Sequence, residues 1–210
     1  MSHEHLVAEG FHNAAETFFG TPAWNAFWSK INGNENSIWG PDALLTPNGI
    51  QQAQNLSVAW RQQAAAGAPL PQSFYVSPLT RSTDTLNITW GDFVLNRPGA
   101  PVPIIVEGLR ETIGVHTSDM RRSKTFIHDR EPTWLFEKGF TENDELWTPS
   151  VRETADQQQA RARSALVEIF NGDDSTYISI TSHSGETAGL LAAIGHRPFP
   201  LDTGGVSFMQ

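Results

Sequence analysis

The apolar positions of the chain fall into short runs that alternate with longer stretches of helical spacing. Four short runs predict strands, over residues 5–7, 73–77, 103–107 and 176–181. The runs at 73–77 and 103–107 are bounded by Pro or Ser, which is typical of buried parallel strands. The apolar segment 206–210 predicts an additional edge strand.

The stretches between these runs predict helices. In segment 46–67, helical spacing relates the apolar positions Ile50, Ala53, Leu56 and Trp60. Thr46 before Pro47 predicts the start of this helix, because Thr is a favoured N-cap and Pro is tolerated at the first helical position. Further helices are predicted from about residue 79 to 93, over 152–172 and over 185–195.

Strands that alternate with helices predict an α/β fold, here a three-layer α/β/α sandwich with a mainly parallel sheet. The length of 210 residues fits a single domain over residues 1–210. Segment 113–151 fits neither the helix period nor the strand period and is rich in basic and aromatic residues. We expect this segment to be an insertion over the sheet that forms a lid or a pocket wall.

Composition narrows the classes of function. The net charge of -9 argues against nucleic acid as a partner, because phosphate backbones are bound by Lys and Arg. The absence of cysteine excludes disulfides, thiol nucleophiles and cysteine-ligated metal sites. The sequence shows neither a long apolar run nor a signal peptide. These features predict a cytoplasmic protein with a small-molecule substrate and no membrane partner, and they leave open whether it forms a homodimer.

Polar side chains follow three of the predicted strands. Arg81 comes one turn after the second strand, Glu111 just after the third, and His183 directly after the fourth. In open α/β sheets, ligands bind at the carboxyl ends of the strands. Taken singly, a His or Glu residue near a strand end is usually a satisfied surface group. Their joint occurrence favours a site in which Arg81 and His183 bind an anion while Glu111 transfers a proton.

Metal and cofactor sites are not predicted. The cluster "HEH" at residues 3–5 is the one candidate for metal ligation, and its position at the N-terminus of the sequence argues against a metal site there. The glycine-containing segments "GETAG" and "TGG" do not have the spacing of nucleotide-binding phosphate loops. We therefore expect neither a metal nor a cofactor.

Five motifs give a more specific indication. The stretches "LLTPNGIQQA", "SPLTRSTDT", "EGLRE", "TSHSG" and "GHRPFPLDTGG" occur in this order. Together they resemble the histidine phosphatase superfamily, which has the phosphoglycerate-mutase-like fold, and the segment from "EGFHNAAETFFG" onward is most similar to its phosphomutase-like branch. The resemblance covers nearly the whole chain.

The resemblance implies roles for particular residues. Arg81 matches the arginine of the Ser-Pro-Leu-x-Arg motif, and His183 matches the second active-site histidine. Glu111 lies at or near the acid that protonates the leaving oxygen. Asn13 matches the asparagine that helps to hold phosphate. The resemblance and the neighbouring positions add three candidates: His12 for catalysis, and Glu9 and Ser184 for anion binding.

The chain departs from the family at the motif that carries the nucleophile. Similar members read approximately Arg-His-Gly-Glu-Gly-Tyr-His-Asn, whereas residues 6–13 read "LVAEGFHN". Either Leu6 and Val7 replace the Arg-His pair or the pair is deleted after Val7. Neither side chain has a lone pair that could attack phosphorus, so the phosphohistidine route is closed at this position. His5 or His12 could serve as a substitute only if the backbone shifted.

Three functions remain open. The first, which we favour from the sequence, is a repurposed enzyme that performs cyclisation, elimination or isomerisation on a small organic substrate. The second is a phosphatase or phosphomutase with a substitute histidine or with an incomplete chain start. The third is a binding protein for a small acid without catalytic activity.

Overall fold

Six strands form one sheet in the computed structural model, which describes residues 2–197 and 203–209. They are β1 (Ser2–Leu6), β2 (Ser73–Val76), β3 (Ile104–Ile105), β4 (Leu135–Phe136), β5 (Ile178–Ser182) and β6 (Val206–Met209). The order across the sheet is β4-β3-β2-β5-β1-β6, and all neighbours are parallel except β1 and β6.

Helices cover both faces of this sheet. They are α1 (Phe11–Phe19), α2 (Thr21–Ala26), α3 (Pro47–Ala65), α4 (Thr80–Trp90), α5 (Lys124–Arg130), α6 (Ala155–Gly172) and α7 (Ser184–Ala193). Helices α3 and α4 pack together on one face, and α6 and α7 pack together on the other. The predicted three-layer α/β/α sandwich with a mainly parallel sheet is confirmed.

The alternation of side chains along β2 explains why both faces are covered. Phe74 and Val76 pack with Trp60 and Trp90 of α3 and α4, whereas Tyr75 belongs to the core on the α6 and α7 side. Each buried side chain of this size stabilises the fold by about 1.5–3 kcal/mol relative to an exposed one. A strand with apolar residues on both faces therefore requires a helix layer on each side.

The caps fix the starts of the two longest helices. Thr46 accepts a hydrogen bond from the Gly49 N–H, so α3 begins at Pro47 as predicted. Thr154 and Gln157 form a capping box at the start of α6. This reciprocal cap satisfies two backbone donors and explains why α6 begins at Ala155, three residues after the start of the predicted segment 152–172.

All four strands predicted from the short apolar runs have somewhat different bounds in the structure; those at 73–77 and 176–181 are observed as Ser73–Val76 and Ile178–Ser182. The first spans Ser2–Leu6 rather than 5–7, because it pairs with β5 on one side and β6 on the other. The third is only Ile104–Ile105 rather than 103–107. Pro103 cannot donate to a strand ladder, and Glu107 already begins a 3-10 turn, so neither end can extend.

Segment 113–151 contributes to the sheet as well as to the surface. It contains α5 and the edge strand β4, which pairs with β3. Its role as a lid or pocket wall stays a prediction. Residues 198–202 of the "GHRPFPLDTGG" motif and Gln210 of the last predicted strand lie outside the described residues. In the described part of the chain, no helix is both long and apolar enough to cross a lipid bilayer.

Candidate active site

Residues that follow β1, β2, β3 and β5 enclose a cavity of about 30 Å³, which we call the inner cavity. It is lined by Val7, Ala8, His12, Asn13, Arg81, Glu111, His183, Ser184 and Thr203. Every predicted site residue except Glu9 is in this set. The volume matches about one water molecule, so a larger ligand must extend beyond the inner cavity.

His183 is fixed at the junction of β5 and α7. Its backbone is extended and forms the N-cap position of α7, and its Nε2 lies 2.8 Å from Ser77 Oγ. The ring is buried. Burial, together with the nearby positive charge of Arg81, holds the pKa of His183 well below its ordinary value. The imidazole is therefore neutral at physiological pH.

His12 lies in the first turn of α1 and contacts the N-cap residue. A Cβ atom on Gly10 would lie 2.6 Å from His12 Nδ1, so a larger residue at this position would displace the His12 ring. His12 Nδ1 is buried and has no hydrogen-bond partner among the described residues. Burial and the charge of Arg81 lower the pKa of His12 well below its ordinary value. The inner cavity thus holds a second neutral imidazole with an unengaged nitrogen.

Arg81 is held by the insertion segment. Its Nη1 donates to the Ser118 carbonyl oxygen at 2.8 Å, and its Nη2 donates to Asp119 Oδ1 at 2.9 Å. The start of α4, which carries Arg81, is fixed by Asp42, whose carboxylate accepts bonds from both Thr80 N and Thr80 Oγ1. Burial raises the pKa of Asp42 to about 6. These contacts set the direction of the Arg81 guanidinium before any ligand binds.

Glu111 lies against the N-terminus of α7. Its Oε2 accepts a hydrogen bond from Gly185 N–H at 3.3 Å, and its Oε1 accepts one from Thr112 N–H at 2.9 Å. A carboxylate at this end of a helix is stabilised by the helix dipole. Glu111 is thereby positioned at the wall of the inner cavity, where a proton donor or acceptor could act on a ligand.

The anion-binding candidates occupy different places. Asn13 lines the inner cavity, and its Oδ1 caps α1 by accepting from Gly10 N–H at 2.9 Å. Glu9 lies outside the cavity lining, because its Oε1 accepts from Thr46 Oγ1 at 2.6 Å. Ser184 lines the cavity as the first residue of α7.

A second space, which we call the outer chamber, adjoins the inner cavity and has a volume of about 380 Å³. It is lined by His12, Asn13, Glu16, Trp24, Asn25, Glu111, Thr112, His116, Ser118, Asp119, Arg152, Ser184 and Gly185. Four of these residues also line the inner cavity. The two spaces therefore form one candidate site, in which the inner cavity is the narrow part and the outer chamber is the wide part.

Sequence reasoning missed Asp119 and Arg152. Asp119 lies inside segment 113–151, which has no period, and Arg152 follows that segment directly. Arg152 Nη1 lies 3.6 Å from Asp119 Oδ2, so one carboxylate serves both Arg81 and Arg152. The sequence shows many charged residues after Glu111, but their pattern does not indicate which of these side chains line the candidate site.

Within residues 2–197 and 203–209, no three His, Asp or Glu side chains are grouped so that they could hold a metal ion.

Comparison with known proteins agrees with this arrangement of strands. A model of the histidine phosphatase superfamily, branch 1, matches residues 27–202. The chain belongs to the histidine phosphatase superfamily. The matched region includes the segments that carry Arg81, Glu111 and His183 and begins after His12.

Known members of the superfamily resemble the chain in sequence and in fold. A "probable phosphoglycerate mutase" of Arthroderma benhamiae is 43% identical over 94% of this chain and 59% of its own length. "Phosphomutase-like protein 3" of Candida albicans is 42% identical over 94% of this chain and 60% of its own length. The chain thus spans about three fifths of these two relatives. The alpha-ribazole phosphatase structure from Shigella flexneri has a TM-score of 0.58 at 17% identity, covering 98% of this chain and 87% of that one, which shows a shared fold.

One part of the inner cavity departs from the superfamily motif. β1 ends at Leu6, and Val7 N–H donates to the Ser182 carbonyl oxygen at 2.9 Å. Val7 and Ala8 are buried in the cavity wall. In the alignment without a gap, the apolar Val7 stands at the position that the resemblance assigns to the nucleophilic histidine, and the absence of the Arg-His pair stays a prediction.

Proposed function

We propose that the chain hydrolyses, or transfers the phosphoryl group of, a small phosphate monoester, with His12 as the phosphoryl acceptor. The observation that carries this proposal is that His12 lines the same inner cavity as Arg81, Glu111 and His183. The sequence predicts that His12 could take this role only if the backbone shifted. In the structure, the first turn of α1 places the His12 ring in the lining of the inner cavity, and this position favours phosphoryl transfer over the other two functions.

The proposed first step is attack by an unprotonated ring nitrogen of His12 on phosphorus. The bond between phosphorus and the ester oxygen breaks, and Glu111 gives a proton to that oxygen as it leaves. Water then attacks the phosphohistidine, Glu111 takes a proton from this water, and phosphate and free His12 are restored. The low pKa of His12 supports this role, because a protonated imidazole could not attack.

Arg81 supplies the positive charge that this reaction needs. The bonds to Ser118 and Asp119 engage two of its N–H donors, and a guanidinium has five. The phosphoryl group would lie where the inner cavity opens into the outer chamber, since the inner cavity itself holds about one water molecule. His183, held by Ser77, would face the same group.

The test measures hydrolysis of p-nitrophenyl phosphate by the unmodified chain and by single variants. We expect His12→Ala and His183→Ala each to lower kcat/KM by about 100-fold or more. His128→Ala, at an exposed position of α5, should stay within about twofold. Intact-mass spectrometry after acid-free quenching should detect a phosphorylated chain that His12→Ala does not form. Full activity of His12→Ala, or no hydrolysis by the unmodified chain, would overturn the proposal.

A second candidate is acid–base chemistry without phosphoryl transfer, such as cyclisation, elimination or isomerisation. It is favoured by Val7 and Ala8 in the cavity wall, which leave two neutral imidazoles and one carboxylate beside an apolar surface. A variant with Arg-His inserted after Val7 discriminates between the two candidates. If this insertion variant hydrolyses the phosphate ester and the unmodified chain does not, phosphoryl transfer is not the native activity. That result would support either the second candidate or the third function, binding without turnover.

A further inference from the structure

The outer chamber must receive the part of the substrate that does not react. It shares His12, Asn13, Glu111 and Ser184 with the inner cavity, so the leaving group of an ester bound there extends into it. Its volume of about 380 Å³ is large enough for a small organic group, and the side chains around it therefore select among leaving groups.

The charges around the outer chamber are mainly negative. Three carboxylates line it, those of Glu16, Glu111 and Asp119, and Arg152 contributes the one guanidinium of this lining. Glu111 carries the proton that the proposed first step transfers. Asp119 is paired with Arg81 at 2.9 Å and with Arg152 at 3.6 Å, and Arg152 Nη1 also donates to the Gly114 carbonyl oxygen at 2.8 Å. A second anionic group on the substrate would therefore meet the uncompensated negative charge of Glu16.

The histidines of the outer chamber add no positive charge at neutral pH. Burial and the charge of Arg152 lower the pKa of His116 to about 4, and the pKa of His12 is also lowered. Both rings are therefore neutral at neutral pH. Arg81 lies in the inner cavity, where the phosphoryl group itself requires its charge.

The remaining polar groups suit hydroxyl groups. Asn13, Asn25 and Thr112 present amide and hydroxyl groups, and Glu16 presents a carboxylate whose Oε1 accepts from Thr21 Oγ1. Asn13 uses its Oδ1 for the α1 cap, so its amide nitrogen is the atom it offers to a ligand. Amides, carboxylates and hydroxyls together can both donate to and accept from an alcohol group.

We propose that the substrate is a phosphate monoester of an uncharged polyol, such as a glycerol or sugar phosphate, and that the outer chamber rejects esters with a second anionic group. This inference rests on the proposed function and names its substrate class. Glu16 is the specificity-determining residue, because it is the carboxylate of the chamber that lies outside the inner cavity and is not paired with an arginine in the described structure.

The test compares glycerol 3-phosphate with 3-phosphoglycerate, two esters that differ only in a hydroxymethyl group against a carboxylate. We expect kcat/KM to favour glycerol 3-phosphate by about tenfold or more. Glu16→Gln should lower the ratio of the two kcat/KM values, because this substitution removes a negative charge and keeps the shape of the side chain. Glu35→Gln, at an exposed position outside both spaces, should leave the ratio unchanged. An equal or reversed preference in the unmodified chain would overturn the inference.

A binding measurement separates this inference from the proposed function. If the unmodified chain turns over neither ester, calorimetric titration with the same two compounds decides. Tighter binding of glycerol 3-phosphate than of 3-phosphoglycerate, with a smaller difference in affinity for the Glu16→Gln variant, would support the substrate class even though the proposed reaction fails. Equal or tighter binding of 3-phosphoglycerate, or no binding of either at millimolar concentration, would overturn the inference.

Discussion

Two neutral imidazoles beside a buried guanidinium define what the inner cavity can do. His12 and His183 both have a lowered pKa, in each case mainly because of burial and then because of Arg81. A neutral ring can attack, accept a proton or donate a hydrogen bond, but it cannot supply a proton as an acid at neutral pH. The proton for a leaving group must therefore come from Glu111 or from water.

The lowered pKa of His183 predicts a dependence of stability on pH. The unfolded chain binds a proton at this histidine near pH 6.5 and the folded chain only at lower pH, so stability is complete above pH 6.5 and falls as the pH decreases. Between pH 7.5 and 5.5 this single group should remove about 1.4 kcal/mol from the free energy of unfolding. Urea unfolding of the unmodified chain and of His183→Gln at both pH values checks the difference. Parallel pH profiles of the two proteins would contradict the assignment.

Arg110 connects three parts of the structure below the site. Its guanidinium bonds to Glu107, to both carboxylate oxygens of Asp144, and to the Asp119 carbonyl oxygen. The side chain is fully buried, so its loss would leave the Asp144 carboxylate without its ion-pair partner, whereas Glu107 would keep its bond to Arg121. It therefore holds the loop that presents Asp119 to Arg81.

We predict that Arg110→Met lowers the free energy of unfolding by about 3–5 kcal/mol, because breaking a buried ion pair leaves uncompensated charge. Arg163→Met, on the exposed face of α6, should change it by less than about 0.5 kcal/mol. Chemical denaturation of both variants measures the difference. Similar values for the two would show that the Arg110 contacts contribute little.

At the scale of elements, the start of α3 supports the wall of the inner cavity. Gly49, in the first turn of α3, lies against the backbone of Glu9, and a Cβ atom there would overlap the Glu9 carbonyl oxygen. Residues 7–10 link β1 to α1 and include Val7 and Ala8 of the cavity wall. The position of residues 7–10 thus depends on Gly49 of α3 having no side chain.

We predict that Gly49→Ala destabilises the fold by about 1–3 kcal/mol or more, because either the backbone of residues 7–10 or the start of α3 must move. Gly172→Ala is the matched control, since it is also a helical glycine and its added Cβ would meet no atom. That control should be neutral or stabilising by up to about 1 kcal/mol. Thermal unfolding of both variants provides the measurement, and equal shifts would contradict the packing argument.

The sequence predicted the long elements better than the short ones. Helices α3 and α6 combine an apolar period with a Thr cap, so their existence follows from local chemistry. The two-residue strand β4 and the seven-residue helix α5 do not contain enough positions to show a period. Their conformation is set by contacts with β3 and the core, which no local pattern records.

At the scale of the whole molecule, the parallel sheet explains which site residues could be predicted. Arg81, Glu111 and His183 each follow a strand, and the carboxyl ends of neighbouring parallel strands meet at one edge. His12 returns to the same edge because α1 starts close behind β1. Asp119 and Arg152 enter from loops whose path depends on buried contacts such as those of Arg110, so the sequence could not place them.

The position of β1 in the sheet has a consequence for how the protein is made. Its two neighbours in the sheet, β5 and β6, lie far from it in the sequence, since they begin at Ile178 and Val206. A growing chain must therefore extend at least to β5 before β1 can bond, and so distant a pairing is slow to close. Until β1 and β5 pair, the position of His12 relative to His183 is not fixed, so any activity that requires both rings cannot begin before β5 and α7 have been synthesised.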